Sequence, residues 1–446
     1  MKLIKKETNE KIKKSKEIIK KEKQKIKDEK KKQREEKIRK NKLLKKIFNI
    51  KEQETEAISL KEQILSMIYF QVLGIILCLL VLFVLSGGRN YIKLYMDLKK
   101  LINVYDTIES NYYGELDKQE LIDSAIDSMI DSIGDDYTTY TDNKATNIFL
   151  EDLEGTYEGI GCMVSMNENK EIIVVSTFDD GPAKKAGLEP NDIIIKIDDQ
   201  EFRDKTSEDM ANYVKESTKS KITLTVKRGE EEKEIIIKRE KVEVPSVTSK
   251  IIEKDDKKIG YMDISIFSAV TYNQFKKQLE DLETKNIEGL IIDVRNDTGG
   301  YLSSVTDISS LFLKKGKVIY QLEDDKNKEK IKDTTKEHRE YPVAVLINGA
   351  SASASEILAA TIKESYGGIV IGTNSYGKGT VQKTKTLSDG SMIKYTTQKW
   401  LTPEGNWINE IGVEPTTVVK LDVLNYTNGI DNQLETAVSQ IIEKIN

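Results

Sequence analysis

Histidine and cysteine are nearly missing from this chain of 446 residues, which holds one histidine, His338, and two cysteines, Cys78 and Cys162. A protein-built zinc site with three or four His/Cys ligands is therefore out of reach. A Ser-His-Asp triad could draw only on His338, which stands in Asp333-Thr-Thr-Lys-Glu-His-Arg-Glu340, a run charged enough to read as a solvated loop. No metal and no cofactor is expected.

Charge is also missing from one stretch. Residues 64–85 run 22 positions without an ionisable acid or base, broken only by Ser66, Gln71 and Gly74 among mostly large apolar side chains. As a helix this would span about 33 Å, enough for a hydrocarbon core of about 30 Å. The apolar stretch and its leader are both long for a cleaved signal peptide, so the pattern predicts an uncleaved single-pass anchor. Residues 1–63 hold 24 Lys/Arg against 12 Asp/Glu, a net of plus 12; with minus 5 for the whole chain, the remainder carries minus 17. The lysine excess predicts a cytoplasmic N-terminus and an extracytoplasmic remainder. Such a tract buries no core, and the lysines before the anchor suit an anionic membrane surface. Nucleic-acid binding is not expected, for want of any aromatic or fold signature. Cys78 would lie in lipid with Cys162 beyond it, which excludes a disulfide between them.

The stretch around residues 341–382 organises the rest. Pro342-Val-Ala-Val-Leu-Ile-Asn348 reads as a buried strand of a mostly parallel sheet. A small-residue turn follows, Gly349-Ala-Ser-Ala-Ser-Ala-Ser-Glu356, and then Ile357, Leu358, Thr361 and Ile362 at helical spacing. Strand, turn and helix put a serine at a helix N-terminus, where free N–H groups and the dipole favour developing negative charge. Further on, Lys378 stands between Gly377 and Gly379. Two plainer readings compete. Ser353 and Glu356 have the spacing of a capping box, and a lysine in a glycine-rich loop is usually a solvated charge. If Ser353 is a nucleophile in a chain without a usable histidine, its proton acceptor must be another group. A buried lysine qualifies, since full burial can depress its pKa by roughly 3 to 5 units. Gln382 is able to hold the amine without restoring its charge.

Ser351-Ala-Ser-Ala-Ser-Glu356, followed 25 residues after its middle serine by Lys378 in a Tyr-Gly-Lys-Gly setting and then by Gln382, resembles the carboxyl-terminal processing proteases, Ser/Lys peptidases that carry a PDZ domain. The resemblance covers about residues 95–420, with Tyr376 where the family commonly has Phe. It implies Ser353 as nucleophile, Lys378 as general base and Gln382 as the residue that orients it. It also makes the loop Arg295-Asn-Asp-Thr-Gly-Gly300 one wall of an oxyanion hole, with Gly299 and the N–H of Ala354 as donors. The strands and short helices of residues 152–242 look like a PDZ domain. Its loop Gly159-Ile160-Gly161 would capture a peptide's terminal carboxylate while the peptide adds a strand.

The expected fold is an α+β / α/β multidomain chain. Its parts are a basic tract (1–63), a transmembrane helix (64–85), a helical region (90–150), a PDZ domain (152–242), a mixed-sheet Ser/Lys peptidase core (246–420) and a closing amphipathic helix (421–446). Residues 400–407 are expected to form a core hairpin. Over 90–150, Leu94 to Ile108 and Leu121 to Ile133 predict two amphipathic helices, which the resemblance associates with self-association into a homo-oligomer. The implied function is a membrane-anchored serine endopeptidase that acts on protein or peptide substrates with apolar C-termini. Two alternatives stay open: a non-catalytic membrane-tethered PDZ scaffold, and a penicillin-recognising site on the Ser-x-x-Lys spacing of Ser375 and Lys378.

Overall fold

The structure, a computed structural model, describes residues 2–47, 60–85 and 91–445. Residues 48–59, in the expected basic tract, and 86–90, where the helical region was expected to begin, lie outside the described residues. The chain divides into two compact units, the first ending at Gly114 and the second starting at Glu115.

The first unit is built of the helices Lys2–Ile47, Leu60–Leu85 and Tyr91–Asn111. Lysine and glutamate are good helix formers with no apolar face to bury, and residues 20–42 are exposed throughout. Within Leu60–Leu85 the segment Gln63–Val81 is long and apolar enough to cross a membrane, and none of it is buried.

The second unit opens with helix Lys118–Asp131, whose first N–H groups are capped by Asp117. The expectation of helices alone up to residue 150 needs correction. Strand Thr139–Thr141 pairs antiparallel with Met392 to Lys394, and helix Asn143–Glu154 follows it. Three residues are too few to show a period of two, so the strand had no signature. Next comes a six-stranded sheet of Cys162–Met166, Ile172–Thr177, Ile193–Ile197, Gln200–Glu201, Lys221–Arg228 and Glu231–Lys238, covered by helix Ser207–Glu216. Its core holds Ile160, Val174, Leu188, Phe202, Val214, Leu224 and Ile237.

A second six-stranded sheet runs Val247–Lys254, Lys257–Ile264, Gly289–Asp293, Val343–Ile347, Ile369–Gly372 and Thr417–Val418, all parallel after an antiparallel first pair. Val343–Ile347 is buried at every position, because helices cover both faces and alternation would gain nothing. Beyond Leu421 there are two helices rather than one, Val423–Thr427 and Asn432–Ile445. The second packs Ala437, Val438, Ile441 and Ile442 on Ile291, Ala344 and Ile371. Gly289 permits that approach, since a Cβ there would meet the Ile441 side chain at 2.4 Å.

A third sheet contains Val318–Glu323, Thr380–Thr386 and Met392–Leu401. The hairpin expected at residues 400–407 lies elsewhere: it is Thr380–Thr386 with Met392–Leu401, and Trp400 ends its second strand. Residues 402–406 form a turn closed by the Thr402 N–H on the Asn406 carbonyl, 2.9 Å. Pro403 and Gly405 are turn residues in either arrangement.

Candidate active site

The turn between strand Val343–Ile347 and helix Ala354–Thr361 carries three serines in alternation, and their surroundings separate them. Ser351 is fully buried and donates to the Val294 carbonyl at 2.7 Å. Ser355, also buried, donates to the Asp297 carbonyl at 3.0 Å, and the Ala352 N–H reaches the same oxygen at 3.0 Å. The outer two serines thus pin the turn to the loop after strand Gly289–Asp293. Ser353, half-buried, lines a cavity of about 950 Å³ together with Lys378, Gln382, Gly299 and Gly300. Its backbone lies at φ 57°, ψ −113°, outside the extended region usual for an N-cap. A non-glycine residue in such a region costs about 1–3 kcal/mol and is kept where its surroundings enforce it.

One carboxylate enforces it. Glu356 is fully buried; its Oε2 accepts from the Ser353 N–H at 2.8 Å and the Lys378 N–H at 2.9 Å. Its Oε1 accepts from Ser375 Oγ at 2.6 Å and the Gly377 N–H at 2.7 Å. Burial raises its pKa and the hydrogen bonds oppose that rise. Sequence spacing offered Glu356 as half of a capping box. In the fold it also ties the serine turn to the lysine loop.

That loop is clamped from the other side by both tryptophans of the chain. Trp400 Nε1 donates to the Lys378 carbonyl at 2.7 Å and Trp407 Nε1 to the Gly379 carbonyl at 2.8 Å. The flanking glycines are required by contact, since a Cβ at Gly377 would lie 2.9 Å from the Ile411 nitrogen and one at Gly379 2.7 Å from the Asn409 nitrogen. The Lys378 side chain is half-buried, its Nζ 5.1 Å from the centre of the Tyr137 ring. Its pKa is pushed down, first by burial and then by the charge of Lys394, against the pull of Glu356 and Asp135. Among the described residues no hydrogen bond joins Ser353 Oγ to Lys378 Nζ. Such contacts are commonly long in unliganded sites and tighten with substrate. Gln382 Nε2 donates to Thr380 Oγ1 at 2.9 Å and Thr396 Oγ1 at 3.2 Å, and no hydrogen bond to Lys378 accompanies these.

The two glycines of the 295–300 loop divide differently from expectation. The Gly299 N–H is committed to Asp297 Oδ1 at 2.8 Å, so it is not a free donor. Among the described residues the Gly300 N–H has no acceptor, nor has that of Ala354, the first residue of its helix. Gly300, at φ 147°, could not carry a Cβ, which would sit 2.2 Å from the Phe267 carbonyl oxygen. Asp297 is itself buried, its carboxyl pushed up to about 7 by burial.

Just before strand Cys162–Met166 of the first sheet, Gly161 has φ 74° and its carbonyl accepts from Phe178, while the Ile160 carbonyl accepts from Ala183. Beside them lies a mainly apolar cavity of about 360 Å³, lined by Ile160, Cys162 and Val164 on the strand side and Met210 and Val214 on the helix. Gly159 makes room for the Tyr157 ring, which a Cβ would approach to 2.2 Å. His338 is exposed, in a loop away from these residues in sequence, and among the described residues it pairs with its own neighbours Lys336 and Glu340.

Three family models match the chain: peptidase family S41 over residues 258–419, a PDZ domain over 159–238, and the activating protease CtpB N-terminal domain over 86–145. The carboxy-terminal processing protease CtpB of Bacillus subtilis (strain 168) is 39% identical over 326 residues, spanning 72% of this chain and 68% of that protein. A probable CtpA-like serine protease of Staphylococcus aureus (strain N315) is 34% identical over 339 residues, 75% of this chain and 67% of its own. Among solved structures, the photosystem II D1 C-terminal processing protease overlaps 75% of this chain and 88% of its own at 22% identity, with a TM-score of 0.43.

Proposed function

Because this chain belongs to the carboxy-terminal processing proteases, serine-type endopeptidases of family S41 with a PDZ domain, we propose that it cleaves its substrates with a Ser353–Lys378 dyad. The observation that carries this is the shared cavity: of three serines in the turn, Ser353 is the one that lines it, beside a lysine whose burial favours the neutral amine. Lys378 Nζ takes the hydroxyl proton as Ser353 Oγ attacks the scissile carbonyl carbon. The oxyanion that forms is met by the N–H groups of Ala354 and Gly300; a donor of this kind is worth about 3–4 kcal/mol in the transition state. Lys378 then returns the proton to the departing amine, and water resolves the acyl-enzyme by the reverse sequence. Gln382, anchored through Nε2 on Thr380 and Thr396, keeps its Oε1 to accept from the amine.

Substrates are proteins or peptides. The apolar lining of the cavity beside Gly159, Ile160 and Gly161 favours apolar C-termini, whose carboxylate the loop N–H groups receive. Comparing new C-termini among membrane and secreted proteins with and without Ser353→Ala tests the reading. A set of C-termini that disappears in the variant is expected; identical sets refute it.

The helix Leu60–Leu85 supports a single-pass anchor, with the lysine-rich segment on the cytoplasmic side and the catalytic unit outside. The intact protein is expected to stay in the membrane pellet after alkaline extraction. Release into the soluble fraction would remove the anchor from this account.

A further inference from the structure

Two further lysines, Lys383 and Lys394, line the cavity, and Lys394 is the one whose charge acts on Lys378. Lys394 lies on strand Met392–Leu401 between two partners, opposite Thr384 on one side and Thr139 on the other, so its backbone is held from both edges. Its Nζ stands 5.7 Å from the centre of the Phe149 ring, a contact that favours an ammonium. Among the described residues no carboxylate pairs with it.

We propose that Lys394 is a positioning residue that acts through Lys378, its uncompensated positive charge driving the proton off the neighbouring amine. The inference rests on the dyad reading above. Like charges lining one cavity oppose each other, which favours the neutral form of the partly buried Lys378 amine. Burial is the larger influence on Lys378 and the Lys394 charge the next, both favouring the neutral amine. The other groups facing Lys378 are Glu356 from helix Ala354–Thr361 and Asp135 and Tyr137 from the loop before Thr139. Tyr376, on the lysine's own loop, meets Tyr137. The two carboxylates attract the ammonium, and the Lys394 charge is what opposes them at Lys378. A cationic neighbour is a recognised way to activate a lysine.

The test is the pH dependence of kcat for the full chain in detergent, with an unstructured fluorogenic peptide ending in an apolar residue. Activity rises with pH as Lys378 loses its proton. Removing a like charge raises the Lys378 pKa, so K394M should move this limb upward by about half to one pH unit with KM little changed. K394R should leave the limb at the wild-type pH. An unmoved limb in K394M, or an equal shift in K394R, overturns the proposal. K394Q gives the same readout should K394M not fold. K378A is assayed alongside: activity there would sink the dyad itself, whereas inactive K378A with an unmoved K394M limb would sink only the role of Lys394.

Discussion

Peptide cleavage by Ser353→Ala and by Lys378→Ala is expected to fall by about 10⁴ to 10⁶ in kcat, the range seen when one member of a cooperating nucleophile and base is removed. The fold should survive both changes, because the hydrogen bonds that matter at these positions run through the backbone. The Ser353 and Lys378 N–H groups bind Glu356, and the Lys378 carbonyl binds Trp400. Alanine keeps all three. Lys378→Ala also removes a desolvated amine, so its thermal midpoint should match or exceed the parent's. Since neither residue acts alone, the double variant should be no slower than the worse single one. Residual activity above about one per cent in either correctly folded variant would reject the dyad.

Glu356→Gln has the second-largest expected effect, although the residue touches no substrate. An amide has one acceptor oxygen where the carboxylate has two. It can serve either Ser375 and Gly377 or Ser353 and Lys378, while its NH2 group faces the remaining N–H. Each buried donor left without an acceptor costs about 1–3 kcal/mol. Against this, the amide avoids burying a charge, the burden that raises the pKa of Glu356. The stability loss should therefore stay moderate, while kcat drops about a hundredfold or more as the serine turn and the lysine loop lose their common anchor. Steady-state kinetics and a denaturant titration separate the two effects. Wild-type kcat/KM in Glu356→Gln would show that the carboxylate does not set the geometry.

Much of the scaffold was readable because local chemistry repeats. The run at 343–347 is apolar at every position, so it was legible as an inner strand. The strand Thr139–Thr141 and the helices after Leu421 were missed or merged because short elements carry no period. The hairpin was misplaced because Pro403 and Gly405 announce a turn without saying which strands it joins.

The candidate site shows the same division. The strand–turn–helix pattern and the scarcity of histidine made Ser353 and Lys378 conditional candidates, and the resemblance to the carboxyl-terminal processing proteases gave them their roles. Glu356 as a clamp, Trp400 and Trp407 as donors to the lysine loop, Tyr137 against its amine and Lys394 in its cavity had no local mark.

By itself the sequence determined which segments are apolar runs, which are amphipathic helices, where one apolar helix is long enough to cross a membrane, and that a histidine-based triad has only His338 to draw on. Only the tertiary structure decided that Ser351 and Ser355 are spent on the neighbouring loop while Ser353 lines the cavity, and that the Gly299 N–H is committed to Asp297. The reason is physical: helix and strand periods arise from neighbours along the chain, whereas which polar group is already satisfied depends on partners tens to hundreds of residues away.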